Sequence, residues 1–333
     1  MPYFPEKKPE PSGEETKQKK LTEKQSQLLR FCVAILSLLL ILYGAVSLIR
    51  YIGDLSASRM TSRELREIYN QPTEPPAPEA TEETTESSSP ETAEDNAAAP
   101  STVQLTASPV PTETPSPLSS ADTLQPVAYP DNPNLNVTDR FLKLRKKSKY
   151  IVGWLTLDGV DEAVARKDNT FFLNHDALGK RNSNGAIFLD EDISLLTRPY
   201  TLIMYGHNMK SGHMFGRLKK YKETAYYHEN RIITFDSMYE EGQYAVFAVL
   251  EINTVPGTAT WYDLWSLDTD SRSDREKAIR KLESRSLHSA LLDVQADDQI
   301  LLLVTCLDGE DERLVVAARR LRKGETPGSL TIR

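Results

Sequence analysis

Three residues of this 333-residue chain have the types and placement needed for acyl transfer through a thioester: Cys306, His207 and Arg313. Cys306 ends the apolar run Leu301-Leu302-Leu303-Val304-Thr305-Cys306, and Arg313 opens the next, Arg313-Leu314-Val315-Val316. His207 ends a third run, Thr201-Leu202-Ile203-Met204-Tyr205-Gly206-His207. A thiolate attacks a carbonyl and an imidazole moves the proton. A guanidinium, charged at any working pH, lowers the thiol pKa or holds an oxyanion. Strand alternation puts Cys306 on the face of Leu302 and Val304, and Thr305 on that of Leu301 and Leu303. The runs flanking the acidic loop Leu307–Glu312 are expected to pair as a hairpin that brings Arg313 beside the thiol. Taken alone, Arg313 fits equally well as a strand-edge charge balanced by Asp308, Asp311 or Glu312. His207 is the best placed of five histidines; His175, His213, His228 and His288 sit in polar or helical surroundings and are expected to be solvated.

Other chemistries lack their residues. H-E-x-x-H is absent, His228-Glu229 has no second histidine, and no glycine-rich phosphate loop occurs, so neither metal nor cofactor is expected. No basic cluster in the folded part suits nucleic acid.

The elements that must position these side chains are mostly short β runs: Ile151–Leu157, Ala186–Leu189, Tyr200–His207, Arg231–Phe235, Gln243–Ile252, Gln299–Cys306 and Arg313–Leu321. Helices are expected over Asp139–Lys149, around Met214, Phe215, Leu218 and Tyr221, and from a capping-box pattern at Ser273. The last carries an imperfect apolar face of Ile279, Leu282, Leu287, Ala290 and Leu291. Many short strands without β-α-β alternation predict a mainly β, closed or partly closed barrel of about 200 residues starting near Asn134.

Ahead of it, residues 31–49 carry no charge and are bracketed by Arg30 and Arg50. At 1.5 Å per residue they span roughly 28 Å, the thickness of a bilayer core. A long polar lead-in and the lack of an A-x-A site favour an uncleaved signal anchor over a cleaved signal peptide. Lys17, Lys19, Lys20, Lys24 and Arg30 put the N-terminus in the cytoplasm and the C-terminal bulk outside. Cys32 then lies in the membrane, leaving Cys306 without a disulfide partner in the exterior part. Residues 54–70 are expected to continue as a short helix with Leu65 and Ile68 on one side. Residues 71–135 hold thirteen of twenty prolines and eleven acidic side chains, with no Lys, Arg, Gly or Cys. The net charge of -8 therefore belongs to this tract, since removing its -11 leaves +3 elsewhere. It is expected to be disordered and to act as a spacer holding the domain off the membrane. The expected layout is a cytoplasmic tail over 1–30, a single span over 31–50, a linker over 51–133 and a catalytic domain over 134–333.

Tyr205-Gly206-His207-Asn208-Met209 with Met214-Phe215-Gly216-Arg217-Leu218 closely resembles the histidine segment of class B sortases. Val304-Thr305-Cys306 followed by Arg313-Leu314-Val315-Val316 resembles the sortase thiol and arginine strands. Ile151–Leu155 and the stretch from Lys167 to Asp176 are similar to the start of that domain, and the helix ahead of the Cys306 strand is similar to the one distinguishing class B. The departures are Val304 where a small polar residue is common, and a short acidic loop after Cys306. The resemblance implies a closed barrel of about eight strands and a cell-surface transpeptidase of a Gram-positive envelope. Cys306 would cleave a C-terminal sorting signal after Thr, with His207 as acid and base. Arg313 would hold the substrate oxygens, and Thr305 and Tyr205 would contact the peptide. The acceptor would be an amine of a peptidoglycan precursor or a pilin lysine. Two other readings compete: a secreted Cys/His protease or amidase with water as acceptor, and a stalked wall-binding module with an inert thiol. The His-before-Cys order departs from papain-like enzymes.

Overall fold

The computed structural model describes residues 13–72, 122–124, 129, 131–289, 292–306 and 311–330. Eight strands close into one barrel: β1 (Ile151–Leu157), β2 (Val160–Ala165), β3 (Ile187–Leu189), β4 (Thr201–Tyr205), β5 (Ile232–Ser237), β6 (Gln243–Asn253), β7 (Ile300–Cys306) and β8 (Glu312–Arg320). Around the barrel they run β1-β2-β3-β4-β7-β8-β6-β5, with β5 closing onto β1. Closure removes every free sheet edge. The chain crosses over twice within this order. β4 and β7 pair in parallel although about a hundred residues separate them, and β7 then pairs antiparallel with β8. Strand β7 thus lies between the strand that leads to His207 and the strand that begins at Arg313.

Seven of the eight strands coincide with apolar runs. β2 does not, because its sequence Val-Asp-Glu-Ala-Val-Ala has acids where alternation wants carbon. Its Glu162 is nonetheless buried, accepting a hydrogen bond from Ser62 at 2.6 Å. The partner lies a hundred residues away.

The helices are α1 (Gly13–Tyr69), α2 (Asp139–Lys147), α3 (Thr224–Glu229) and α4 (Arg272–Ser284), and a 3₁₀ segment covers Phe215–Lys222. Helix α4 starts earlier than its sequence pattern suggests. Ser271, not Ser273, is the N-cap, its hydroxyl accepting from the Asp274 amide. The helix ends at Ser284, so Leu287 lies beyond it, while Ala290 and Leu291 are outside the described residues. Its inward stripe is Arg275, Ala278, Ile279 and Leu282, an i, i+3, i+4, i+7 spacing with a guanidinium in the first place. Arg275 is fully buried and bonded to the carbonyls of Tyr200, Leu267, Ala296 and Asp298, and to the Thr201 hydroxyl. These groups lie at or next to the starts of β4 and β7. One side chain therefore ties together the ends opposite the His207 and Cys306 positions.

Helix α1 is a single 57-residue helix that contains, between Gln25 and Tyr69, an 18-residue window of mean hydropathy 2.6, long and apolar enough to cross a membrane. Beyond the apolar run it lies against the barrel. Leu65 is buried in a side core with Phe141, Trp154, Phe172 and Phe188. Tyr69 stacks on Trp154 with ring centroids 4.4 Å apart and donates to Asp236. Arg66 pairs with Asp161 at 2.6 Å. Packing resumes before the expected domain start. Thr123 bridges to Ser271, Leu124 is buried, and Tyr129 is in the main core with its hydroxyl on the Leu195 carbonyl. Both ends of the expected 51–133 linker are therefore part of the folded body. The tract between them, residues 73–121, lies outside the described residues.

Candidate active site

The ends of β4, β7 and β8 meet at one rim. Parallel pairing of β4 with β7 matches Tyr205 to Val304, and the β7–β8 ladder matches Cys306 to Arg313. The expected hairpin is present, and residue 306 faces Arg313 directly in register. The Gly206 amide donates to the Val304 carbonyl, and the Thr305 hydroxyl donates back to the Gly206 carbonyl at 2.7 Å. These bonds extend the β4–β7 pairing past Tyr205, so His207 follows at the level of Cys306. Between these ends lies a cleft of about 240 Å³ lined by Asn169, Leu173, Phe188, Tyr205, Gly206, His207, Val304, Thr305 and Arg313. Val304, on the Cys306 face of β7 by alternation, is among them. The Cys306 side chain lies outside the described residues; its backbone position at the end of β7 is described.

His207 Nε2 lies 2.6 Å from the Leu173 carbonyl. A carbonyl only accepts, so Nε2 carries hydrogen and Nδ1 is the nitrogen that exchanges a proton. The segment that supplies this carbonyl is built by Asp168, whose Oδ1 accepts from the Thr170 amide and hydroxyl and the Phe171 amide. The Thr170 hydroxyl in particular holds the Asp168 carboxyl down at about 2. Gly185 closes the other side of the ring. Its φ is +63°, and a Cβ there would overlap the Phe172 carbonyl and sit 3.0 Å from His207 Cδ2. After His207 the chain turns sharply, with the Met209 and Phe215 amides both donating to the His207 carbonyl.

Tyr205 and Thr305, the expected peptide contacts, both line the cleft, but their hydroxyls serve the protein. Tyr205 donates to Asp190 at 2.9 Å, and burial together with that carboxylate raises its pKa. Thr305 is buried with its hydroxyl on Gly206. Arg313 borders the cleft with Nη1 on the Glu312 carbonyl at 2.9 Å. Of the acids expected to balance its charge, Asp308 lies outside the described residues.

Sequence reasoning missed four cleft-lining residues: Asn169, Leu173, Phe188 and Val304 as a wall. Asn169 had a local signal, because Asp168-Asn169-Thr170 is a turn signature. Its amide bonds Asp190 and the Glu191 amide, bracing the Tyr205 partner. The expectation of solvated histidines holds only for His228. His213 is bonded to Ser58, His175 stacks on Phe171, and His288 stacks on Tyr227 while bonded to the Tyr221 carbonyl. Among the described residues no cluster of three His, Cys, Asp or Glu side chains has metal-binding geometry.

A sortase-domain family model matches residues 158–321. Sortase B of Listeria monocytogenes is 29% identical over 200 residues, covering 58% of this chain and 78% of that protein. Sortase B of Staphylococcus aureus is 28% identical over 193 residues, covering 56% and 77%. The crystal structure of sortase B from Bacillus anthracis in complex with AAEK2 superimposes with a TM-score of 0.50 at 27% identity, covering 61% of this chain and 90% of that one. With an eight-stranded barrel closed in this order and these relatives, residues 158–321 are a sortase domain, similar to those of class B sortases.

Proposed function

We propose that this chain is a membrane-anchored cysteine transpeptidase acting on C-terminal sorting signals, with Cys306 as nucleophile, His207 as acid and base, and Arg313 as the substrate clamp. The observation that carries it is the convergence of the ends of β4, β7 and β8 on one cleft, with residue 306 in register with Arg313 and His207 lining the same wall. The Cys306 thiolate attacks the carbonyl carbon of the Thr before the scissile bond. As the C–N bond breaks, His207 gives its Nδ1 proton to the leaving amine, and a thioester remains. An incoming amine then attacks the thioester, its proton passes back to Nδ1, and Cys306 leaves as the thiolate, which restores the starting pair. The fork of Arg313 suits the carbonyl oxygens on which charge develops. The acceptor is an amine of a peptidoglycan precursor or a pilin lysine. The apolar helix and its basic N-terminal flank support a single span with the N-terminus in the cytoplasm and the barrel outside. Both substrates are then met at the outer membrane face.

The test is thioester trapping with sorting-signal peptides, read by intact mass, on wild type and Cys306→Ala. An adduct on wild type that is absent from Cys306→Ala is expected, and an added amine should convert hydrolysed product to conjugate. An adduct persisting in Cys306→Ala places the nucleophile elsewhere. Product that ignores the amine makes the enzyme a hydrolase.

A further inference from the structure

Beyond the apolar run, α1 makes polar contacts that simple docking does not need. Asp54 and Ser58, one helical turn apart, bond to two separate segments, and both segments hold His207. The Ser58 hydroxyl, 1% exposed, lies 3.0 Å from His213 Nε2. His213 is in the turn that His207 opens, two residues before Phe215, whose amide donates to the His207 carbonyl at 3.0 Å. Between them Met214 has φ +49° and ψ -126°, a strained conformation for a residue with a side chain, kept only where neighbours enforce it. Two contacts enforce it. One is the His213–Ser58 bond. The other is the tight approach of Gly216 to the Met209 backbone, which leaves no room for a Cβ.

The second segment is 182–185. Asp54 Oδ2 accepts from the Ser183 amide at 3.2 Å and the Ser183 hydroxyl at 2.5 Å, and Asn182 Nδ2 donates to the Asp54 carbonyl at 3.0 Å. Asn182 builds the turn that delivers Gly185: its Oδ1 accepts from the Asn184 amide and its carbonyl from the Gly185 amide. Gly185 is the residue seated against the His207 ring. One turn of α1 therefore grips the histidine from both flanks. The apolar docking contacts, Leu65 and Tyr69, lie two turns and more further along the helix.

We propose that Asp54 and Ser58 are positioning residues for His207, so that the barrel is catalytically complete only with the membrane-proximal turn of the anchor helix seated on it. This rests on the role given to His207 above. The anchor then does two jobs, holding the enzyme at the membrane and shaping its active site.

The test uses the full chain in lipid nanodiscs, with Asp54→Ala, Ser58→Ala, the conservative Asp54→Asn, and Arg63→Ala as a control whose exposed side chain bonds only Glu67. Two readouts are taken: amide hydrogen exchange across 182–185 and 207–216, and kcat and KM on a sorting-signal peptide. In both alanine variants exchange should quicken at the Gly185 and Phe215 amides. The kcat should fall about tenfold or more, since small misplacements of a catalytic group are costly, while KM stays within about twofold. Asp54→Asn, which keeps an acceptor oxygen, should restore most of the loss, and Arg63→Ala should change nothing. If Ser58→Ala does not fold, the surface variant Asp54→Ala decides alone. Unchanged exchange in both segments overturns the proposal, as does equal loss in Arg63→Ala. If wild type transfers no peptide, the transpeptidase reading fails, and the exchange data still decide whether the helix holds the histidine segments.

Discussion

Arg313 faces the Cys306 position across the β7–β8 ladder and borders the cleft, and its Nη1 donates to the Glu312 carbonyl. If it binds substrate oxygens through a planar fork, a lysine point charge cannot replace it. Arg313→Lys is expected to lower turnover by about a hundredfold, on the order of 3 kcal/mol in the barrier. Near-wild-type turnover in the lysine variant would remove it from the catalytic set. Glu162 presents a different case at the same scale. Burial pushes its carboxyl up to about 7 from an ordinary 4.5, against the Ser62 hydrogen bond and Arg66, with Asp161 adding to the rise. His213 stands 3.8 Å away, its own pKa lowered by burial and by Arg59 and Arg66. Between about 4.5 and 7 the folded chain keeps a proton on Glu162 that the unfolded chain has lost, so this group makes stability fall as pH rises through that window. The lowered His213 pKa acts in the opposite sense below its ordinary 6.5. Glu162→Gln retains an acceptor for Ser62 and removes the first effect. Its gain in unfolding free energy over wild type should therefore be larger at about pH 8 than at about pH 4.5, by roughly 1–3 kcal/mol in denaturant titrations at the two pH values. A gain independent of pH would show that Glu162 is not protonated in the fold.

Among the elements, α4 has the clearest structural duty. A buried guanidinium usually invites the thought of an anion, but Arg275 has its donors on four carbonyls and a hydroxyl at the starts of β4 and β7, and burial lowers its pKa to about 10. Replacing it with Leu leaves those acceptors unpartnered in the interior. Arg275→Leu should destabilise the barrel by about 3–5 kcal/mol, since each buried acceptor left without a partner costs about 1–3 kcal/mol. Denaturant unfolding measures this directly. A loss under about 1 kcal/mol would mean water replaces the guanidinium there. Because the same residue aligns β4 with β7, loss of activity should track loss of fold in this variant. That separates it from Asp54→Ala.

For the whole molecule, the fold extends beyond the part that looks like a domain. A fragment starting at residue 134 discards Leu65, Tyr69 and Tyr129, which pack into the two cores, and the buried Leu124. It also uncovers the Trp154 face on which Tyr69 stacks. We expect the 134–333 fragment to melt on the order of 10 °C below the 54–333 fragment, given about 2–4 °C per kcal/mol for a domain of this size and about 1.5–3 kcal/mol for each large apolar side chain withdrawn. Equal melting would mean that α1 rests on the barrel without stabilising it. Shortening the 73–121 tract by half should leave surface anchoring of substrate unchanged, because α1 holds the barrel in place. Reduced anchoring would restore the spacer role that composition suggests.

By itself the sequence determined most of the strands and which residues are candidates for the chemistry. Apolar runs ending in Cys306 and His207, and one starting at Arg313, are local patterns, and period-two alternation follows from covalent geometry alone. The β7–β8 hairpin was legible for the same reason, since its partners are adjacent in the chain. The parallel pairing of β4 with β7 was not, because register between strands a hundred residues apart depends on closure of the whole barrel. β2 was hidden by Glu162, whose burial is licensed only by Ser62 on a distant helix. The resemblance implied peptide contacts for Tyr205 and Thr305, and only the fold revealed Asp190 and Gly206 as the partners of their hydroxyls. The apolar run over 31–49 was plain from composition, but the docking of 54–69 was not: Leu65, Tyr69, Ser62 and Ser58 are unremarkable residues until the barrel supplies Trp154, Glu162 and His213 opposite them. Local pattern determines which groups can react; tertiary contact decides which of them are held, and by what.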